Sequence, residues 1–156
     1  MGRRRKLTTV AKKTGPRWAA YGQMLTPEEA ERRLREQGSR MTAPRRALIQ
    51  LLAGNGGHPT AEDLTTRVRA HLGKIPAATV YNVLDALESA GLVRRVAGLE
   101  PRAHFDPDTS PHEHALCTHC RQVWDVPAPA LPSHLPEGFL VSDILIQGVC
   151  RPCSER

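Results

Sequence analysis

The sequence predicts an α+β protein in two parts. Four helices closed by a basic β-hairpin come first; beyond a proline-flanked hinge follows a small α/β part built on paired cysteines. Three observations carry this. Residues 26 to 91 hold four apolar patterns of helical period, each bounded by capping or breaking residues. Residues 92 to 105 then change to two short β-type runs. Two Cys-x-x-Cys pairs, Cys117/Cys120 and Cys150/Cys153, flank most of what lies beyond the hinge.

Residues 1–24 hold Arg3, Arg4, Arg5, Lys6, Lys12, Lys13 and Arg17 and no acid, which reads as a flexible basic arm with some phosphate contact. Residues 25–106 follow as the helical part. Thr26 caps the first helix, Pro27 suits its first position, Glu28 and Glu29 complement its N-terminus, and Gly38 stops it. Its thin apolar content, Ala30 and Leu34, places it on a surface. Thr42 caps a second helix over 43–53 with Leu48, Leu51 and Leu52 as its core face, ended by Asn55-Gly56-Gly57. Thr60, with Asp63 three residues on, opens a third helix in a capping-box pattern; Leu64, Val68 and Leu72 repeat at four-residue spacing along it. The fourth helix, 77–90, carries Val80, Val83, Leu84 and Leu87 on one face and Thr79, Tyr81, Asn82 and Asp85 on the other. Strands at 92–96 and 102–105 turn about Ala97–Glu100.

Helices followed by a basic hairpin form a winged helix-turn-helix pattern, in which the fourth helix enters the major groove of double-stranded DNA. Thr79, Tyr81 and Asn82 are then the helix residues that reach DNA, against the plainer reading of solvated polar positions. Arg94, Arg95 and Arg102 on the wing, and Arg40, Arg45 and Arg46 at the start of the second helix, would touch the phosphate backbone. Charge supports this division. The net charge is +6, but residues 1–97 hold eighteen Lys/Arg against eight Asp/Glu, and residues 98–156 hold four against eight. A basic half of this kind suits a polyanion.

Residues 107–156 form the second part. Pro107 to Pro111 is the hinge; strands are expected at 115–117, 123–126 and 139–149, with at most a short helix near Ala130 to Ser133 in a proline-rich stretch. A part this small needs a metal or a partner subunit to hold its fold. No apolar run approaches the ~18 residues of a membrane span, and no apolar segment follows the basic start as in a secretory signal. The protein is expected in the cytoplasm, where thiols stay reduced and four cysteines serve better as metal ligands than as disulfides. Cys117, Cys120, Cys150 and Cys153 together match a closed, structural Zn²⁺ site, with twenty-nine residues between the pairs. A redox dithiol is the alternative, and His119 could replace one thiolate.

The stretch from His104 to Asp125 is the densest in ligand chemistry, with four histidines, two cysteines and three aspartates. His112 and His114 alternate, so on a strand they share a side, and Asp106 and Asp125 flank them. Imidazole with carboxylate suits an exchangeable Fe²⁺, Mn²⁺ or Zn²⁺. The same spacing also fits a polar hinge surface.

In order along the chain, Arg40-Met-Thr-Ala-Pro-Arg45, His58-Pro-Thr-Ala61, Ala78-Thr-Val-Tyr-Asn82, Gly91-Leu-Val93, His104-Phe-Asp106, His112-Glu-His114, Cys117-x-x-Cys120 and Gly148-Val-Cys150-x-x-Cys153 resemble the ferric-uptake-regulator (Fur) family. The resemblance runs from about Thr26 to Cys153 and is strongest to the peroxide-responsive PerR branch. It implies a homodimeric, metal-dependent DNA-binding repressor, not an enzyme, with 107–156 as the dimerisation and metal-binding domain. It also implies a regulatory Fe²⁺ or Mn²⁺ site of His58, Asp106, His112, His114 and Asp125, with His58 or His112 as the residue that peroxide oxidises. Pro111 and Ser142 stand where other members place a third site, and no fifth cysteine is present for a regulatory zinc. An iron- or manganese-uptake regulator would use much the same ligands, and a zinc-uptake regulator fits less well. Outside the family, the rivals are a small metal-dependent hydrolase built on His112 and His114, for which no nucleophile or acid–base pair is evident, and a zinc-ribbon interaction module.

Overall fold

A computed structural model describes residues 24–54, 57–96, 98–99, 101–127, 135–141 and 143–156. Most of the basic arm, the Asn55-Gly56 break, Ala97 and Glu100 of the wing turn, the 130–133 helix and Ser142 lie outside the described residues.

Helix α1 is Pro27–Glu36, α2 Ala43–Ala53, α3 Ala61–Leu72 and α4 Ala77–Ser89. The threonine caps act as expected. Thr26 Oγ1 accepts from Glu29 N–H, Thr42 from Arg45 N–H, and Thr60 and Asp63 form the full capping box. Each cap satisfies a donor that the helix start would otherwise leave unpaired. Helix α4 has no side-chain cap and starts from Pro76. Its Val80, Val83, Leu84 and Leu87 are buried, together with Ala30, Leu34, Leu48, Ile49, Leu52, Leu64 and Val68 of the other helices. Leu72 departs from its spacing: it sits at the end of α3, beyond the packed face, and is exposed.

Strands β1 (Arg94–Val96) and β2 (His104–Asp106) pair antiparallel as the wing, with Arg94 opposite Asp106. Phe105 of β2 is fully buried in the helical core. Its N–H donates to the Pro59 carbonyl at 3.0 Å, and Thr60 bridges to His104. The hinge is shaped by two aspartates: Asp106 Oδ1 accepts from Asp108 N–H, and Asp108 Oδ1 from Ser110 N–H, each at 2.8 Å.

Beyond the hinge, β3 (Glu113–Cys117) lies between antiparallel β4 (Val123–Val126) and parallel β5 (Leu145–Gly148), and a short α5 (Arg151–Ser154) closes the chain. The strand expected over 139–149 is thus cut to four residues. Phe139 and Leu140 pair with no strand among the described residues and are exposed, Leu140 at 80%. An apolar run made them look like strand, but pairing with β3 decides the matter. A second, smaller core of Val96, Leu99, Leu116 and Val123, with Leu145 against it, joins the wing to this sheet.

Gly98 makes that junction possible. Its φ is +74°, a backbone that L side chains rarely adopt, and a Cβ there would lie 3.0 Å from Leu145 Cδ2. Gly98→Ala is expected to lower stability by about 1–2 kcal/mol, read as a shifted urea midpoint. An unchanged midpoint would show that the wing turn relaxes freely.

Candidate metal centre

Two clusters of ligand atoms form, and β3 contributes to both. His114 lies near its N-terminal end, His112 immediately precedes it and Cys117 closes it. Asp106 ends β2, Asp125 lies on β4 directly opposite His114, and His58 precedes α3. One ligand atom from each of His58, Asp106, His112, His114 and Asp125 falls within 4.8 Å of every other. His112 Nε2 is 3.0 Å from Asp106 Oδ2, 3.2 Å from Asp125 Oδ1 and 3.2 Å from His114 Nε2. His114 Nε2 is 3.3 Å from Asp106 Oδ2, and His58 Nε2 is 2.7 Å from Asp125 Oδ1. The rings of His58 and His112 each stand edge-on to His114, with centroids 4.8 Å away.

Local contacts aim these groups inward. His104 Nδ1–H donates to the His58 carbonyl at 2.8 Å, fixing the backbone under that ring. His112 Nδ1 lies 3.0 Å from the Ser110 carbonyl, so its proton sits there and its Nε2 lone pair faces the cluster. Neither ring nitrogen of the buried His58 makes a hydrogen bond among the described residues. Its close approach to Asp125 is not aligned for donation. Buried, unbonded imidazole nitrogens beside two carboxylates are the donor set a divalent cation satisfies.

Burial lowers the His58 pKa below its ordinary 6.5, against the opposing pull of Asp106 and Asp125. Burial works to raise Asp106, yet hydrogen bonds from His114 and the Asp108 backbone win and hold it below the usual carboxylate value.

The cysteine cluster brings the four Sγ atoms within 4.8 Å of one another, with no disulfide among them. Cys117 Sγ accepts from the backbone N–H of Cys150 at 3.4 Å and of Cys120 at 3.5 Å. These donors lower its pKa to about 5, whereas Cys153, hydrogen-bonded to Cys150 and its neighbours, is pushed up to about 12. Four sulfurs this close cannot all ionise without a shared cation, and tetrahedral Zn²⁺ fits them. His119 is exposed and outside the cluster.

The residues expected at DNA divide. Tyr81 and Asn82 are exposed on α4 and Thr79 half-buried; the Tyr81 hydroxyl donates to Glu62 at 3.2 Å. Arg40 is exposed, and Arg45 Nη1 donates to its carbonyl. On the wing Arg102 is exposed, while Arg95 lies over the Phe105 ring at 5.2 Å and faces Glu88 and Asp85 at 3.4 and 3.5 Å. Arg94 is not on the outer face of the wing. Its side chain is 7% exposed and its Nη2 lies 3.1 Å from Asp106 Oδ2 and 2.8 Å from His112 Nε2. The alternation of β1 held the signal: Arg94 shares a strand face with apolar, buried Val96, so it points inward.

The sequence pattern of the ferric uptake regulator family matches residues 36–137. The chain belongs to this family. Among Fur-family relatives, the peroxide operon regulator of Bacillus subtilis is 34% identical over 137 residues, covering 83% of this chain and 94% of that protein. The peroxide-responsive repressor PerR of Staphylococcus aureus is 29% identical over 136 residues, covering 83% and 92%. The solved Helicobacter pylori Fur, described with three functional metal binding sites, superposes with a TM-score of 0.69 at 19% identity, covering 85% of this chain and 97% of its own. A zinc-bound manganese uptake regulator gives 0.60 at 23%, covering 78% and 98%. These structures share the Fur fold. Family members are transcriptional regulators rather than enzymes; they bind DNA and are generally dimeric. No helix among the described residues is long and apolar enough to cross a membrane.

The shifted His58 has a consequence for pH. The unfolded chain protonates it near 6.5 and the folded chain only lower, so that part of the stability is complete above pH 6.5 and is lost as pH falls below it. With no divalent ion added, the urea midpoint is expected to fall more between about pH 7.5 and 5.5 for the unsubstituted protein than for His58→Gln. Equal falls would exclude His58 as the source.

Proposed function

We propose that this chain is a metal-dependent transcriptional repressor that binds double-stranded operator DNA as a homodimer and responds to peroxide. Residues 25–106 would be the DNA-binding domain, 107–156 the dimerisation and metal-binding domain, and 1–24 a basic arm. The observation that carries the reading is the five-residue cluster, which draws His58 from the helical part and Asp125 from the C-terminal sheet into one site. A cation held there would fix the two parts in one relative setting, and with them the spacing of two α4 helices in a dimer. His58, Asp106, His112, His114 and Asp125 would hold Fe²⁺ or Mn²⁺, and the four cysteines structural Zn²⁺. The names of the Bacillus and Staphylococcus relatives support the peroxide reading. Bound Fe²⁺ would supply the chemistry by which peroxide adds oxygen to His58 or His112, and bound Mn²⁺ would not.

The exposed Tyr81 and Asn82, with Thr79 and Arg40, support contact between α4, the start of α2 and DNA. Arg45 and Arg95 stand near that face, whereas Arg94 is turned away from it. A regulator of DNA works where the DNA is, which keeps the expectation of a cytoplasmic protein. The second reading, an iron- or manganese-uptake regulator, rests on the same ligands.

Added Mn²⁺ is expected to strengthen operator retention in a gel-shift assay, and Asp125→Ala to abolish that gain while zinc content stays unchanged. DNA binding indifferent to Mn²⁺ would sink the regulator reading, and zinc loss would mean that the residues are divided wrongly between the two sites. Peroxide treatment of the Fe²⁺-loaded protein is expected to add 16 Da, the mass of one oxygen, to the peptide of His58 or His112, with no addition when Mn²⁺ is bound. No added mass would leave the uptake-regulator reading standing.

A further inference from the structure

We propose that Arg94 is a tethered competitor for the cation site, so that a divalent ion binds only by displacing its guanidinium. The proposal rests on the site assignment above. Arg94 opens β1 opposite Asp106, and its buried Nη2 is shared between Asp106 Oδ2 at 3.1 Å and His112 Nε2 at 2.8 Å. Asp106 Oδ2 is an oxygen a metal would need. Asp106 Oδ2 is also the oxygen nearest His114 Nε2, and the His112 Nε2 lone pair is turned inward by the Ser110 carbonyl. Nη2 lies over the face of the His112 ring, 3.4 Å from its Nδ1 as well, so the contest between guanidinium and ion is for the Asp106 carboxylate.

Charge points the same way. Arginine stays ionised whatever the pH, and a buried charge must be paired. Among the five ligand residues the two carboxylates carry the negative charge, and Arg94 cancels one of them. An approaching dication therefore meets a site half neutralised, with a fixed positive charge at its wall, in surroundings where Coulomb terms are strong. The displaced side chain also has somewhere to go. A cleft of about 380 Å³ borders Arg94 on the wing, and Glu88 and Asp143 are among its lining residues. Glu88 already faces Arg95, so a guanidinium leaving Asp106 would settle on Asp143. In this design Arg94 keeps the ligands neutralised until the ion arrives and sets the concentration at which it does so.

The test is calorimetric titration of Mn²⁺ into the whole chain as purified, beside Arg94→Met, Arg94→Lys and Asp125→Ala. Arg94→Met keeps the apolar stem and removes the charge. It is expected to bind Mn²⁺ on the order of tenfold more tightly, while its melting temperature without Mn²⁺ falls and rises more on Mn²⁺ addition than in the parent. Arg94→Lys, with one charge that cannot fork to Asp106 and His112 together, should fall between. Unchanged or weaker Mn²⁺ binding by a folded Arg94→Met, with Asp125→Ala still abolishing binding, overturns this proposal and leaves the site assignment intact. If Arg94→Met does not fold, Arg94→Lys decides: tighter binding supports the proposal, and equal or weaker binding overturns it. Absence of Mn²⁺ binding in the parent and every variant overturns the site assignment, and this proposal with it.

Discussion

The tie between the turn before α3 and strand β2 is the constraint on which the cluster depends. The Phe105 amide on the Pro59 carbonyl, the Thr60–His104 bridge and the His104 ring on the His58 carbonyl act within a few residues of each other. Phe105 is fully buried, so the tie is anchored in the main core rather than at a mobile edge. It carries His58 across 46 positions of chain to within reach of groups on three strands. A ligand set drawn from separate segments keeps its geometry only when each segment is held by its own scaffold.

The two halves of the molecule are stabilised differently. The helical part has capped helices and a continuous core running from Leu25 to Phe105. Among the described residues the C-terminal sheet places Leu116 and Val123 in the small core, with Leu145 against it, and completes that core with Val96 and Leu99 from the wing. A core this small leaves little burial to offset the entropy of ordering the sheet, and the clustered cysteines are placed where a cation would add to it.

Much of the helical part was legible because its signals are local. Thr26, Thr42 and Thr60 each cap within three residues of themselves, and the bounds of α2 follow from them. The cysteine cluster was legible because paired spacing carries its own geometry. What depended on distant pairing was not. The apolar 139–149 stretch keeps only the residues that meet β3. His58 has nothing in its neighbourhood that marks it as part of a cluster; only family resemblance singled it out. From sequence Arg94 reads as a wing charge because its partner, Asp106, lies on the other strand, although its alternation with Val96 points it inward.

Strand β3 is five residues long, and the two clusters sit at its opposite ends. From His114 to Cys117 is three steps, about 10 Å of extended chain, too short and too stiff to absorb a shift at either end. A slip of one residue would turn His114 from the cluster to the other face of the sheet. The strand thus sets the distance between the two clusters. Damage to the thiols, by oxidant or by zinc loss, would reach the histidine end as a change of register, so a cell could lose its sensing chemistry through atoms that never touch the sensed ion.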